Sequence, residues 1–312
     1  MAQTAFLFPG QGSQYAGMGQ DLAAHLPAAA AVFAAADQAL GEPLSQLCFQ
    51  GPEAQLTLTA NTQPAVLTAS IAAARALAEA GVTPDYVAGH SLGEYSALVT
   101  AGGMEFKDAV KVVRRRGELM QEAVPAGAGA MAALLGLAPD LVGALCQEAA
   151  QGEVCSPANF NAPGQIVIAG HAAAVERACA LAAARGGKAI PLPVSAPFHC
   201  SLMAPAQETL QWDLWNTFFS ELNLPLVTNV DAELIEGAEE ARDALIRQVT
   251  APVQWERSMR ELLQRGVTLF IEVGPGRVLS GLLKRVDRAA ACVNVEDMAS
   301  LAKAVDAWRA QR

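Results

Sequence analysis

Short apolar segments that end in a Gly- or Pro-bearing turn and continue as a helical pattern recur along this sequence. Examples are Thr4–Phe8 before Pro9-Gly10, Tyr86–Ala88 before Gly89, and Thr268–Val273 before Gly274-Pro275-Gly276. Strands that alternate with helices in this way form a parallel sheet covered by helices. The main body of the chain is therefore expected to be a large α/β domain.

A second, smaller unit is expected between residues 127 and 195. Small residues and a proline at positions 124–129 interrupt the helical pattern that ends near Glu122. The stretch that follows predicts strand, helix, strand, helix and strand, in this order: Ala130–Leu137, a helix opened by Pro139-Asp140, Gln165–Ala169, Ala172–Ala184 and Ala189–Val194. This order fits a small inserted α+β subdomain of the ferredoxin-like kind. Residues 1–126 and 196–312 then form the large domain.

The composition excludes several classes of protein. Hydrophobic residues make up 52 % of the 312 residues and charged residues 17 %, which supports a real core and argues against disorder. The net charge of −10 disfavours nucleic acid and anionic lipid as partners. The apolar run Leu26–Ala36 is far shorter than the ~20 residues that cross a bilayer. No basic segment precedes the apolar run at residues 5–8, so a secretory signal is not expected. We therefore expect a cytoplasmic protein without a membrane span.

The six cysteines are scattered and form no Cys-x-x-Cys pair. This spacing argues against both a disulfide framework and a zinc knuckle. No metal site is expected, and most of the thiols are expected to lie in the core.

The strongest local motif is Gly89-His90-Ser91-Leu92-Gly93, a G-x-S-x-G sequence between a strand-like segment and a helical one. In this context the serine sits on a tight strand-to-helix turn, and the flanking glycines permit close backbone approach. The N-terminus of the following helix favours developing negative charge. Ser91 is therefore the candidate nucleophile of a hydrolase-like fold.

A serine nucleophile needs a base, and elimination among the four histidines favours His199. His90 adjoins Ser91 and would point away from it, while His25 and His171 lie near the ends of predicted helices. His199 follows a predicted strand, where α/β enzymes place catalytic side chains. A structural hydrogen-bonding role for His199 fits this position equally well. The neighbouring Cys200 is disfavoured as an alternative nucleophile because adjacent side chains diverge.

The Gly-rich segment 9–14 follows the first strand, but it lacks the ending of a P-loop and the spacing of a dinucleotide fingerprint. Nucleotide binding is therefore disfavoured. A turn of this kind can place a backbone N–H beside the serine turn and so complete an oxyanion hole with Leu92. A plain strand-to-helix turn is the equally open alternative.

A helix predicted at about Lys107 to Gln121 carries one inward-facing arginine. At about 100° per residue, its apolar side chains fall on one arc, with Arg116 in the middle and Arg114 opposite. A buried guanidinium without a partner costs several kcal/mol, so an anionic or strongly polar group should meet it. A structural carboxylate and a substrate carboxylate both satisfy this requirement.

A series of motifs resembles the malonyl-CoA:acyl carrier protein transacylase family over nearly the whole chain. In order, they are Phe8-Pro9-Gly10-Gln11-Gly12, Gln63-Pro64-Ala65, Gly89–Glu94, Met120-Gln121, Asn159–Gln165, Pro197-Phe198-His199, Gln248 with Pro252–Trp255, and Glu272–Gly276. The resemblance implies malonyl transfer from malonyl-CoA to the phosphopantetheine thiol of acyl carrier protein, through a malonyl ester on Ser91. It implies no tightly bound cofactor, and a place in fatty acid biosynthesis or polyketide assembly.

The resemblance also implies roles for the main-chain groups. His199 would be oriented by the backbone carbonyl of Gln248, in the place where a hydrolase has an acid. The backbone N–H groups of Gln11 and Leu92 would form the oxyanion hole.

The same resemblance implies how substrates are bound. Arg116 would grip the free carboxylate of malonate, with Gln63 beside the guanidinium. Phe198 would crowd an α-methyl branch and so disfavour methylmalonyl. Asn161 and Lys188 match positions that contact coenzyme A in relatives.

Two other functions compete with malonyl transfer. An acyl hydrolase with the same Ser91 and His199 pair is the first, although editing relatives tend to lack the arginine. A catalytically silent module that binds carrier protein or coenzyme A is the second. Trp212–Phe219 departs from the family pattern; it is expected to be a helix that packs on the core, with an altered carrier-protein surface as the alternative.

Overall fold

The computed structural model describes residues 2–194 and 196–311, and in this part of the chain the strands form two separate sheets. The strands are β1 Gln3–Phe8, β2 Tyr86–Gly89, β3 Gly129–Leu135, β4 Cys155–Ala162, β5 Gln165–His171, β6 Lys188–Pro191, β7 Leu226–Val227, β8 Leu234–Ile235, β9 Val267–Val273 and β10 Ala291–Val295. The helices are α1 Gln20–His25, α2 Pro27–Leu40, α3 Leu44–Gln50, α4 Glu53–Leu56, α5 Thr59–Glu79, α6 Gly93–Thr100, α7 Phe106–Glu122, α8 Pro139–Ala150, α9 Ala172–Ala184, α10 Ala204–Asn216, α11 Ala238–Gln248, α12 Trp255–Gln264, α13 Val278–Val286 and α14 Met298–Arg309, with a 3-10 turn at Ser201–Met203.

The larger sheet has the order β10-β9-β1-β2-β7-β8. Its pairs are parallel except for β7 with β8, an antiparallel edge pair that the sequence pattern did not predict. The central strand β1 is buried from Thr4 to Phe8, as expected for a parallel strand covered on both faces. The α/β expectation with a largely parallel sheet is confirmed. No described helix is both long and apolar enough to cross a bilayer.

The smaller sheet is antiparallel, with the order β4-β5-β3-β6, and α8 and α9 share a buried apolar cluster with it. The predicted order lacked β4, so the element order is β-α-β-β-α-β rather than β-α-β-α-β. Strand β4 escaped prediction because Pro157, Ala158 and two asparagines have low strand propensity. The predicted return to the large domain at Ser195 lies outside the described residues, and the domain boundaries stay predictions.

Strand β4 also bonds to the segment between α11 and α12. The backbone N–H of Phe160 donates to the carbonyl of Val253 at 2.9 Å, and the N–H of Val253 donates to the carbonyl of Ala158 at 2.9 Å. These bonds satisfy backbone groups of β4 on the side away from β5. Tertiary pairing therefore holds this polar segment extended.

The segment Trp212–Phe219 is helical as far as Asn216, where α10 ends, and most of its aromatic residues are exposed. Trp212, Trp215 and Phe218 are 65 %, 55 % and 73 % exposed, and of the four aromatic residues in this segment only Phe219 is buried. Leu210 and Leu214 occupy the buried face of α10, and a helix of this composition offers one buried face. A helix therefore packs on the core here as far as Asn216, but it does so through leucines, and both tryptophans are exposed.

The fold brings three distant segments to one place. Strands β1 and β2 are parallel neighbours, so the Gly10–Gln11 loop and the Ser91 turn emerge side by side at the carboxyl edge of the sheet. Helix α7 packs on α5 and presents a buried face that includes Arg116, as the helical arc predicted. This edge lies against the small sheet and is where a cleft forms.

Candidate active site

Ser91 occupies a strained turn between β2 and α6. Its φ is +51°, a left-handed conformation that costs energy for a residue other than glycine, and its N–H donates to Asn229 Oδ1 at 2.6 Å. A Cβ at Gly89 would lie 1.9 Å from the backbone of Gly93, and one at Gly93 would lie 2.0 Å from the carbonyl oxygen of Phe8. Both glycines are therefore required for the chain to turn this sharply beside β1.

Gly93→Ala is expected to destabilise the protein by more than about 3 kcal/mol, because its methyl group overlaps backbone rather than a side chain that can rotate away. Thermal unfolding measures the change. Gly143→Ala is the matched control, because Gly143 lies in α8 with nothing within 4 Å of an added Cβ. That control should gain about 0.5–1 kcal/mol from helix propensity. Equal unfolding temperatures for the two variants would contradict the packing argument.

His199 lies directly on Ser91. Its Nε2 is 2.8 Å from Ser91 Oγ, and its Nδ1 is 2.9 Å from the backbone carbonyl oxygen of Gln248. A carbonyl oxygen only accepts, so Nδ1 carries the proton and the lone pair of Nε2 faces the serine hydroxyl. Burial, together with the positive charge of Arg116, lowers the pKa of His199 to about 3. The imidazole is therefore a neutral base at physiological pH.

Arg116 reaches the same serine from α7. Its Nη2 donates to Ser91 Oγ at 3.2 Å and to Gln248 Oε1 at 2.9 Å, and its Nη1 donates to Gln63 Oε1 at 2.8 Å. The guanidinium carbon lies 5.6 Å from the centre of the Tyr95 ring, and the residue is 2 % exposed. The direct partners are neutral polar groups, so no anion among the described residues contacts the buried charge. An anionic substrate group beside Ser91 would supply one.

A cavity of about 110 Å³ surrounds these groups and lies between the two sheets. Gln11, Ser91 and Leu92 line it from the large sheet side, and Met131 and Asn159 line it from the small one. The backbone N–H groups of Gln11 and Leu92 donate to no described residue. Two unpaired donors beside a nucleophile, one of them at the start of α6, are the arrangement that stabilises an oxyanion.

The remaining expected site residues fall into two groups. Phe198 lines the cavity next to His199. Asn161 lines an adjoining cleft and its Oδ1 is 2.8 Å from His90 Nε2, an atom pair that holds the imidazole of His90 away from Ser91. Lys188 is exposed at the start of β6 and does not line this cavity, so a contact with coenzyme A stays a prediction for it.

The other two histidines that elimination set aside have structural partners. His25 Nδ1 lies 2.8 Å from the Asp21 carbonyl oxygen, and His171 Nδ1 accepts from the Val154 N–H at 2.9 Å. Neither lines the cavity that contains Ser91.

Two site residues were not predicted. Asn229, in the turn after β7, accepts from the Ser91 N–H and donates its Nδ2 to the Gly89 carbonyl oxygen at 2.6 Å, so one side chain ties both ends of the turn. Glu94 is 1 % exposed and its Oε2 accepts from Gln248 Nε2 at 2.5 Å and from the Asn229 N–H at 3.3 Å. The sequence offered one indication that Glu94 belongs to the site, namely its position directly after the serine motif.

Comparisons with known proteins agree over almost the whole chain. A family model described as an acyl transferase domain matches residues 5–307. The malonyl CoA-acyl carrier protein transacylase of Bacillus subtilis (strain 168) is 49 % identical over 98 % of this chain and 97 % of its own length. That of Escherichia coli (strain K12) is 52 % identical over 92 % and 93 %. A solved structure of a type II PKS acyl-carrier protein in complex with its malonyl-transacylase is 47 % identical, with a TM-score of 0.96 over 98 % of this chain and 100 % of that one.

Proposed function

This chain belongs to the acyl transferase family, among the malonyl CoA-acyl carrier protein transacylases, and on that premise we propose how its residues carry out the transfer. The enzyme moves malonyl from malonyl-CoA to the phosphopantetheine thiol of acyl carrier protein. One observation carries the assignment of roles: Ser91 Oγ lies 2.8 Å from the base His199 and 3.2 Å from the cation Arg116. A nucleophile held between a base and a buried cation suits an acyl group that ends in a carboxylate.

In the first half-reaction Ser91 Oγ attacks the thioester carbon of malonyl-CoA while His199 Nε2 takes the hydroxyl proton. The oxyanion that forms on the thioester oxygen accepts from the backbone N–H groups of Gln11 and Leu92. Collapse of this intermediate breaks the carbon–sulfur bond, and the imidazolium gives its proton to the departing coenzyme A thiolate. The malonyl group then remains as an ester on Ser91.

The second half-reaction runs the same steps in reverse with a different thiol. Neutral His199 takes the proton of the phosphopantetheine thiol, and the thiolate attacks the ester carbon. The second tetrahedral intermediate releases Ser91 Oγ, which regains its proton from the imidazolium. Nδ1–H remains bonded to the Gln248 carbonyl throughout, so the ring keeps its orientation without a carboxylate.

Arg116 selects the acyl group. Its two Nη atoms donate to Gln63, Gln248 and Ser91. A malonyl carboxylate beside Ser91 would bind this planar guanidinium by two hydrogen bonds. Acetyl has no such group and would leave the guanidinium without an anion. Phe198 lines the cavity, and its ring would crowd an α-methyl branch of the acyl group.

The proposed chemistry uses only side chains and backbone groups of this chain and the two substrates, a thioester donor and a thiol acceptor. We also propose a cytoplasmic location, since the six cysteines are free thiols and reducing compartments keep thiols in that state.

Mass spectrometry of the carrier protein tests this function. Holo acyl carrier protein of Escherichia coli, incubated with malonyl-CoA and catalytic amounts of this chain, should gain the mass of one malonyl group. Apo carrier protein, which has no phosphopantetheine arm, is the matched control and should stay unchanged. Release of free malonate with an unmodified holo carrier would instead establish the acyl hydrolase.

A further inference from the structure

A buried carboxylate lies directly behind the cation of the site. Glu94 and Arg116 are 1 % and 2 % exposed, and the amide of Gln248 joins them. Gln248 Nε2 donates to Glu94 Oε2 at 2.5 Å, and Gln248 Oε1 accepts from Arg116 Nη2 at 2.9 Å. The interior of the site therefore holds one cation and one carboxylate at the two ends of a single amide group.

One carboxylate balances one cation in this arrangement, and an anionic substrate changes that balance. A malonyl carboxylate placed on Arg116 adds a second anion beside two groups that are themselves almost fully buried. Two buried carboxylates that share one cation disfavour each other, and the pair lowers its energy when one of them binds a proton. Burial already raises the pKa of Glu94 to about 7, whereas the malonyl carboxylate is held by direct bonds to the guanidinium.

We propose that Glu94 is the proton-linked counter-ion of Arg116: the malonyl carboxylate replaces it as the anion that balances the guanidinium, and Glu94 takes up one proton from solution as malonyl-CoA binds. The proposal rests on the proposed function, because it requires the malonyl carboxylate to bind Arg116. Glu94 does not line the cavity and acts through Gln248, so it is a positioning residue.

Charged groups act on Glu94 from two other elements: Arg116 on α7 lowers its pKa, and Asp231 after β7, which is bonded to Arg247 of α11, raises it. Tyr95 is the next residue on α6, and His199 bonds to the backbone of the same Gln248 that contacts Glu94. His90 lies in the turn that precedes α6.

The groups closest to Glu94 do not titrate near neutral pH. The pKa of His199 is lowered to about 3 and that of His90 is also lowered, mainly by burial, so both rings stay neutral. Burial raises the pKa of Tyr95 to about 12. The hydrogen bonds from Arg247 lower the pKa of Asp231, which stays ionised. A proton taken up at pH 7 to 8 in this part of the site therefore belongs to Glu94.

The preference for malonyl over acetyl should therefore fall as pH rises. A group whose pKa is higher in the complex than in the free enzyme weakens binding above its free pKa, by up to tenfold per pH unit. Malonyl-CoA affinity should drop about tenfold between pH 7 and 8.5. Acetyl-CoA affinity should stay level, because acetyl brings no second anion.

Titration calorimetry measures the proton directly. Malonyl-CoA is titrated into the Ser91→Ala variant at pH 7.5, in phosphate and in Tris, two buffers with different heats of ionisation. The difference between the binding enthalpies in the two buffers, divided by the difference between their heats of ionisation, should give an uptake of about 0.5 to 1 proton. Acetyl-CoA, which carries the same coenzyme A phosphates, should show none.

Glu94→Gln in the same background should abolish the uptake and make malonyl-CoA affinity independent of pH. Glu272→Gln is the matched control: Glu272 is another buried carboxylate, bonded to Leu279 and Ser280 and outside this cavity, and its replacement should preserve the uptake. If Glu94→Gln does not fold, the pH dependence of the malonyl-to-acetyl preference of the unmodified enzyme still decides. A level preference between pH 7 and 8.5, or uptake that persists without Glu94, overturns the proposal.

Failure of this inference is distinguishable from failure of the proposed function. Tight malonyl-CoA binding that Arg116→Ala weakens, but that takes up no proton, removes only the role of Glu94. Equal affinities for malonyl-CoA and acetyl-CoA at every pH, unaffected by Arg116→Ala, would remove the carboxylate site itself.

Discussion

Ser91→Ala is expected to leave a folded protein that takes up no malonyl group from malonyl-CoA. Removal of a serine nucleophile abolishes the ester on which both half-reactions depend, so transfer to the carrier protein should fall by at least about four orders of magnitude. Intact-mass analysis after exposure to malonyl-CoA measures the ester, and transfer to holo carrier protein measures the rate.

Ser96→Ala is the matched control for this substitution. Ser96 lies on α6, the helix that follows the Ser91 turn; it is buried and has an Oγ without a partner among the described residues, so its removal breaks no hydrogen bond. This variant should form the malonyl ester as the parent does. A malonyl group retained by Ser91→Ala would place the nucleophile on another side chain.

Arg116→Ala is expected to lower kcat/KM for malonyl-CoA by a factor of about a hundred or more and to spare or improve acetyl transfer. Loss of a charge-assisted, two-pronged hydrogen bond in a buried site costs about 3 kcal/mol or more, and only the substrate with a carboxylate makes this bond. Measurement of kcat/KM for malonyl-CoA and for acetyl-CoA with each variant gives the malonyl-to-acetyl preference.

Arg114→Ala on the same helix is the control, because Arg114 pairs with Glu42 and Asn61 on the side away from the cavity. Its malonyl-to-acetyl ratio should match the parent. An equal fall of both acyl groups in Arg116→Ala would show that this arginine acts on Ser91 alone and does not recognise the acyl chain.

Ser91 and Arg116 were accessible from the sequence because each depends on a local pattern. A serine that lies between two glycines, after a strand-like segment and before a helical one, is typical of a sharp strand-to-helix turn. The inward position of Arg116 follows from helical periodicity, which fixes direction over a few turns without any knowledge of the partner helix. The fold class followed for the same reason from repeated strand, turn and helix patterns.

The rest of the site depends on contacts between distant parts of the chain. Bonds of Asn229 and Gln248 to the Ser91 turn and to Glu94 join residues that are 135 to 157 positions apart. Backbone groups add a second difficulty, because the carbonyl that orients His199 has no signature in residue type. Only the family resemblance indicated Gln248, and nothing indicated Asn229. Strand β4 escaped for a related reason, since its extended form comes from pairing with β5 and Val253.

Gln248 serves the site through two chemically independent parts. Its backbone carbonyl fixes the imidazole of His199, while its side chain contacts Arg116, Glu94 and the Ser91 carbonyl. Any amino acid supplies the carbonyl, but only the amide matches the guanidinium on one side and the carboxylate on the other. Evolution can therefore alter which acyl chains are accepted by exchanging side chains around position 248, while the chemistry of the serine is inherited unchanged.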